Sequence, residues 1–290
     1  MLACAYFAAS FMLTSSTKGL FQVRSFSDPV IVSLLHMAAT NLISSIYLFV
    51  TGKFSTMPSR ERFFSLVVYS GVFTLNIFLS NAALAYLDIS LHQTLATAAL
   101  VFTMIQSYLL LGTRFTVRQV FVLLGISLGA ALSIGGTFEP RYVGIALSLL
   151  GSLISSLKAV LTKYLMTPSA DSPDLSPLEL TYWLSLLASM FLAIIALFRG
   201  DPSGAIYDAV TDGPFIYRLI GNAIAAALVN LTNPLLIQAT SPLVVNILGI
   251  SKNVSLSSLD LFLHRDSGFS LVKLLGVFMV FTCVTLYRIF

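Results

Sequence analysis

The sequence predicts an all-α membrane protein that crosses the bilayer about ten times. Three observations carry that prediction. Hydrophobic residues make up 57% of the 290 positions and charged ones only 10%, where a soluble domain carries nearer a quarter. Mean hydropathy is +0.92. Apolar runs of span length follow one another along almost the whole chain, and ten helices of about 20 residues would use about 200 positions. A soluble enzyme, a nucleic-acid-binding module and a secreted disulfide scaffold are all excluded by this balance.

The runs fall at about 1–21, 29–51, 62–82, 88–111, 116–136, 142–165, 178–198, 213–237, 241–263 and 269–289. The first begins at Met1 and serves as its own insertion signal, with no cleavable leader or transit peptide and no cytosolic tail, as if the start were clipped. Ser27-Asp28-Pro29 opens the second run, and Thr51-Gly52-Lys53 closes it. Gly112-Thr113-Arg114 separates the fourth from the fifth, and Arg199-Gly200-Asp201-Pro202 follows the seventh. The longest polar stretch, Thr167 to Asp174, is a solvated loop between two halves. An even number of spans puts both termini on one side. Lys53, Arg60, Arg62, Arg114 and Arg118 on that side, against Arg24, Arg141, Arg199, Arg265 and Lys273 opposite, favour the cytosol.

A repeat is visible across the centre. Gly112-Thr113-Arg114 through Leu123-Leu124-Gly125 corresponds to Leu263-His264-Arg265 through Leu274-Leu275-Gly276, at a constant offset of 151. Five spans on each side make each half odd. Residues 1–136 and 142–290 are therefore expected to form a five-plus-five inverted repeat within one transmembrane domain, 1–290.

Ionisable groups inside the spans need a reason, because charge in the bilayer is costly. Lys252 lies mid-span, too far from either end to snorkel easily, with Asp260 two turns away. A lysine facing a water-filled cavity and holding an anionic solute accounts for it better than a structural pair. Gly249, one turn earlier, lets a solute or helix approach the backbone beside the ammonium. Lys18, after Thr14-Ser15-Ser16-Thr17, fits snorkelling as well as binding. Lys158 and Lys163 are five apart and diverge by about 140°, so at most one lines a cavity, and Lys163 is the better interfacial anchor. His36, His92 and Gln93 more commonly serve hydrogen-bonded packing, while Asn76, Asn81, Asn230 and Asn246 read either way.

Cys4 and Cys283 read as small core residues. Asn230-Leu231-Thr232 and Asn253-Val254-Ser255 lie inside spans and are not glycosylation sites. The chain has no metal spacing, nucleophile elbow, phosphate loop or paired intramembrane aspartates, so no enzyme activity and no cofactor are expected. Asp28, Asp88 and Glu139 sit in loops or at span ends. Lysine without carboxylate favours an anionic solute over proton-coupled cation transport.

Several segments resemble the triose-phosphate/nucleotide-sugar translocator family of the drug/metabolite transporter superfamily. Ser80-Asn81-Ala82-Ala83-Leu84 with Ser90-Leu91-His92-Gln93-Thr94 is similar to its fourth-helix entry, continued by Phe102-Thr103 and Tyr108 to Gly112. Leu157 to Leu165 resembles its sixth helix, and Thr240-Ser241-Pro242-Leu243 with Gly249-Ile250-Ser251-Lys252 its ninth. The resemblance runs over nearly the whole chain. It implies an antiporter that swaps a sugar phosphate or nucleotide sugar for phosphate or a nucleoside monophosphate. It also implies that Lys252 meets the phosphate, that Lys18 serves similarly, and that Asn230 lies near the cavity. Gln93, Asn253 and Lys158 complete the expected substrate-binding set.

Departures refine the expectation. Ala96 stands where the family often has Lys or Arg, Lys252-Asn253 replaces the plastid Lys-Arg pair, and the GDP-mannose signature is missing. A Golgi or ER membrane is therefore preferred to a plastid envelope. The partners expected are a small anionic substrate and the lipid bilayer, with a homodimer left open and nucleic acid excluded. The alternatives are a carrier of a neutral or amphipathic metabolite, and, further off, a non-transporting membrane protein.

Overall fold

The computed structural model describes residues 2–21, 29–52, 58–87, 89–134, 142–167, 175–198, 213–263 and 271–289. Over these residues the chain forms eleven helices and no strand. They are α1 (Leu2–Phe21), α2 (Pro29–Val50), α3 (Arg60–Leu84), α4 (Ile89–Ala96), α5 (Ala99–Leu111), α6 (Val117–Ile134), α7 (Tyr142–Leu165), α8 (Pro177–Phe198), α9 (Gly213–Ala239), α10 (Pro242–Leu263) and α11 (Leu271–Ile289). Every apolar run coincides with a helix to within two residues, except that α4 and α5 share the fourth. Six segments are long and apolar enough to cross a bilayer: Val30–Val50, Arg60–Leu84, Leu91–Leu111, Tyr142–Leu165, Pro177–Phe198 and Phe215–Ala239. Leu2–Thr14, Val117–Ser133 and Leu271–Tyr287 are shorter apolar helices. The chain is a multi-pass membrane protein.

Most of the polar centre, together with Arg24, Asp28, Lys53, Asp88, Glu139, Arg141, Arg199 and Arg265, lies outside the described residues. The side chains of Lys18 and Asp260 do too.

Three helices begin with their own caps. Thr116 and Gln119 bond reciprocally ahead of α6, Thr116 N–H to Gln119 Oε1 at 2.9 Å and Gln119 N–H to Thr116 Oγ1 at 3.3 Å. Ser176 and Glu179 repeat the arrangement before α8, at 2.9 and 3.3 Å. Each box satisfies two backbone donors at a helix end. Ser241 Oγ accepts from Val244 N–H at 3.3 Å, with Pro242 at the first helical position of α10.

The usual distribution of polarity is inverted. Phe49, Phe121, Phe198 and Phe278 are exposed, as suits side chains in contact with lipid, whereas Ser44, Ser70, Thr103, Ser148 and Ser156 are buried. Many buried hydroxyls donate back to their own helix. Thr40 reaches His36 O at 2.7 Å, Ser44 reaches Thr40 O at 2.8 Å and Ser152 reaches Ser148 O at 2.9 Å. Small hydroxyl residues let helices approach closely without stranding a polar atom in hydrocarbon. Cys283 is half-buried and packs against the core, but Cys4 is exposed on α1.

The chain divides into two compact units, and each draws on both halves of the sequence. Met1–Ile77 with Leu165–Ala239 makes the first. There α2 packs against α8 and α9, and α1 against α9. Ile31 and Val32 meet Phe215 in its core, and Phe63 stacks edge-on against Trp183 at 6.2 Å.

Phe78–Tyr164 with Thr240–Phe290 makes the second unit. Its core joins Leu100 of α5, Leu123 and Ile126 of α6, Ile247 and Val254 of α10, and Val280 of α11. The closest helix pair is α6 with α11, where glycines allow backbone to approach backbone. A Cβ on Gly276 would fall 2.5 Å from Ser133 N and 2.6 Å from Gly129 O. One on Gly125 would fall 2.8 Å from Cys283 Sγ. Contacts climb α6 as they descend α11, so the two helices run antiparallel.

Candidate functional site

In the second unit the site residues centre on α10. Leu243, Ile247, Ile250 and Val254 are buried at helical spacing and fix which face of α10 meets the core. At 3.6 residues per turn, Lys252 is displaced from that face by roughly 170°. Its side chain is half-buried all the same. Gly249 precedes it by one turn, and a Cβ there would meet nothing within 4 Å, so open space adjoins this stretch of backbone. Asn253 is half-buried on the flank of the same turn. Asn246 anchors the helix, its Nδ2 donating to Thr103 Oγ1 of α5 at 2.5 Å. The three residues expected on this helix therefore share about one turn of α10.

The fourth span is interrupted beside Gln93. Between α4 and α5 the N–H groups of Thr97 and Ala98 bond three residues back, to Thr94 O at 3.2 Å and Leu95 O at 3.1 Å. Serines of two neighbouring helices supply further partners. Ser152 Oγ of α7 donates to Leu95 O at 3.3 Å, and Ser127 Oγ of α6 to Thr97 O at 3.4 Å. Irregular backbone at membrane depth persists where protein satisfies it in this way. Gln93 is half-buried one turn before the break. His92 beside it pairs through Nδ1 with Ser148 Oγ at 2.9 Å, the packing role expected of it. Gln106 and Ser156 add a second link between α5 and α7 at 2.8 Å. Lys158 and Lys163 are both half-buried on α7, in which Lys163 occupies the last turn.

Lys18 and Asn230 lie in the other unit. Lys18 follows Ser16 and Thr17 near the end of α1. Asn230 Nδ2 donates to Thr40 Oγ1 of α2 at 3.0 Å. The strongest polar junction here is a residue that the sequence reading passed over. Asn222 is fully buried, and its Nδ2 donates to Ser16 Oγ and Thr17 Oγ1, both at 2.8 Å, while its Oδ1 pairs with His36 Nε2 at 2.5 Å. One amide thus joins α1, α2 and α9. The sequence signal was an asparagine in the middle of an apolar run, which gives its cost but not its partners.

Asn222→Leu keeps the four-atom side chain branched at Cγ and removes all three bonds. An interhelical hydrogen bond in a membrane interior contributes about 0.6 kcal/mol on average, so the loss should approach 2 kcal/mol. Thermal unfolding in detergent should show Asn222→Leu melting below the wild type, with Asn230→Leu, which removes one such bond, between them. Equal melting of all three would remove the junction from the account.

Apolar helices joined by amide junctions, with a half-buried lysine on one of them, describe a multi-pass membrane protein. Its family is specific: residues 1–288 match the Triose-phosphate Transporter family, and the chain belongs to it. It is 24% identical to a probable sugar phosphate/phosphate translocator of Arabidopsis thaliana, over 99% of this chain and 93% of that one. It is 29% identical to solute carrier family 35 member E4 of Homo sapiens, over 98% of this chain and 79% of that one. UDP-uronic acid transporter 1 of Arabidopsis thaliana is 24% identical over 78% of this chain and 74% of its own. A solved crystal structure superposes with a TM-score of 0.76, covering 99% of this chain and 96% of that one, at 14% identity. That last likeness is one of fold.

Proposed function

We propose that the protein exchanges a phosphorylated sugar or nucleotide sugar for phosphate or a nucleoside monophosphate across a Golgi or ER membrane. The observation that carries this reading is Lys252, turned away from the core of its own unit and one turn from the open space at Gly249. An ammonium held among apolar helices calls for a counter-charge, and a phosphoryl group supplies one. Relatives named for sugar phosphates and for a nucleotide sugar agree with that choice of anion. Asn253, Gln93, Lys158, Lys18 and Asn230 are the further residues assigned to the substrate. The tightened turn between α4 and α5, next to Gln93, supports the same region, because a 3₁₀ stretch inside a helix often marks a functional hinge.

The halves 1–136 and 142–290 act as inverted repeats in this reading. The glycine contacts of α6 and α11 support it. Gly125 faces Cys283 and Gly276 faces Leu132, and the offset of 151 links Gly125 to Gly276 and Leu132 to Cys283, so the two contacts exchange their members. A match of this kind across antiparallel helices is what a local two-fold axis in the membrane plane produces. Alternating access then follows from rocking about that axis.

Proteoliposomes test the exchange. Vesicles preloaded with inorganic phosphate or a nucleoside monophosphate should take up labelled sugar phosphate or nucleotide sugar at least tenfold faster than empty ones. A panel of nucleotide sugars, triose phosphate and phosphoenolpyruvate outside the vesicles identifies the substrate. Equal uptake by empty and loaded vesicles would overturn obligatory exchange, and transport of neutral metabolites alone would overturn the anion site.

A further inference from the structure

We infer that the end of the fourth span carries a binding site for an anionic glycerophospholipid, with Arg114 holding the headgroup phosphate. The site is a groove of about 510 Å³ on the second unit, lined by Met104, Ile105, Tyr108, Leu109 and Phe115 with Arg114 among them. That volume falls within the range of small-molecule sites, roughly 300–1,000 Å³.

The lining comes from two short stretches, and the sequence explains its shape. Leu100, Thr103 and Ser107 are the buried positions of α5 and turn one face inward. Ile105, Tyr108 and Leu109 point the other way and are 47%, 59% and 69% exposed on a bilayer-spanning helix, where the solvent is lipid. At the end of α5, Gly112 takes the left-handed conformation with φ +65°, and the N–H of Thr113 returns to Ser107 O at 3.2 Å. The chain therefore turns back on itself within a few residues. The capping box of Thr116 and Gln119 then starts α6. Between these two devices Phe115 closes the groove and Arg114 is set at its rim.

The chemistry of the occupant follows from this order along the membrane normal. Apolar side chains continue up the lipid face of α5, a tyrosine sits near the boundary, and a guanidinium stands where the span leaves the bilayer. A phospholipid has the same sequence of parts, with acyl chains below, an ester region and a phosphate above. A guanidinium donates in a planar fork that suits phosphate geometry. A net negative headgroup adds the attraction that basic residues have for anionic lipid surfaces. Arg114 is not among the residues assigned to the transported substrate, so its substitution tests the lipid site by itself.

Native mass spectrometry of the full chain in detergent tests the site, using phosphatidylserine and phosphatidylcholine of identical acyl chains. The wild type should retain phosphatidylserine in preference to phosphatidylcholine and melt at a higher temperature in its presence. Arg114→Gln should lower apparent phosphatidylserine affinity about fivefold, the effect of about 1 kcal/mol for one basic residue at a membrane surface, and leave phosphatidylcholine unchanged. Arg114→Lys should retain part of the preference. Leu109→Trp, which fills the groove from an exposed position, should reduce retention of both lipids. An undiminished phosphatidylserine preference in Arg114→Gln would overturn the headgroup assignment. Unchanged retention of both lipids in Leu109→Trp would overturn the groove as the place where the chains lie.

Discussion

Lys252→Ala should abolish anion exchange and leave a folded, membrane-inserted protein. Both halves of that result come from where the side chain sits. The core face of α10 is Leu243, Ile247, Ile250 and Val254, and Lys252 lies roughly opposite it, so truncation removes no packing from the core. Binding is another matter. Losing one partner of a desolvated charge pair costs about 2–5 kcal/mol, which is roughly a 30-fold to several-thousand-fold loss of affinity. Exchange in proteoliposomes should fall to background, and stabilisation by nucleoside mono- and diphosphates should vanish with it. Lys252→Arg, which keeps the charge in a different shape, should recover part of the binding. Transport by Lys252→Ala at the wild-type rate and affinity would dismiss the lysine as the phosphate anchor.

Gly276→Ala should be the most damaging single-methyl change at any glycine described here. The added carbon would sit 2.5 Å from Ser133 N and 2.6 Å from Gly129 O, and both of those are backbone atoms that no rotamer change can move. The helices α6 and α11 must separate. Overpacking of this kind typically costs 1–3 kcal/mol and sometimes more. Gly125→Ala meets Cys283 Sγ at 2.8 Å, a side-chain atom able to swing aside, and should cost less. Gly249→Ala meets nothing within 4 Å inside a helix and should melt at or above the wild type. Thermal unfolding of the three variants in one detergent checks the ranking, and a Gly276→Ala protein as stable as Gly249→Ala would refute the backbone contact.

Hydropathy made the spans legible because lipid imposes a length and an apolarity on each. All ten runs therefore lie in helices, the fourth in two, and among the described residues six segments are long and apolar enough to cross a bilayer. The interruption at Thr97 and Ala98 was not legible, since threonine and alanine are as acceptable in a continuous span as in a broken one. Two serines far away in the sequence, Ser127 and Ser152, add bonds to its carbonyls. Lys252 stood out because a charge in an apolar run is rare. Asn222 did not, because a lone amide signals its own cost without naming Ser16, Thr17 and His36 as the groups that meet it. The Leu-Leu-Gly triplets disclosed an offset, but the contact of Gly276 with the α6 backbone is a matter of interhelical distance, which composition does not encode.

The broken fourth span also has a chronology. Its carbonyls at Leu95 and Thr97 are met by Ser152 and Ser127, which the ribosome adds after the span itself has been made. When residues 89–111 first enter the bilayer, neither hydroxyl exists, and an uninterrupted helix is the form that leaves fewest backbone groups bare. The contacts that Ser127 and Ser152 add to the turn between α4 and α5 are therefore completed only after the helices that bring those serines have been made.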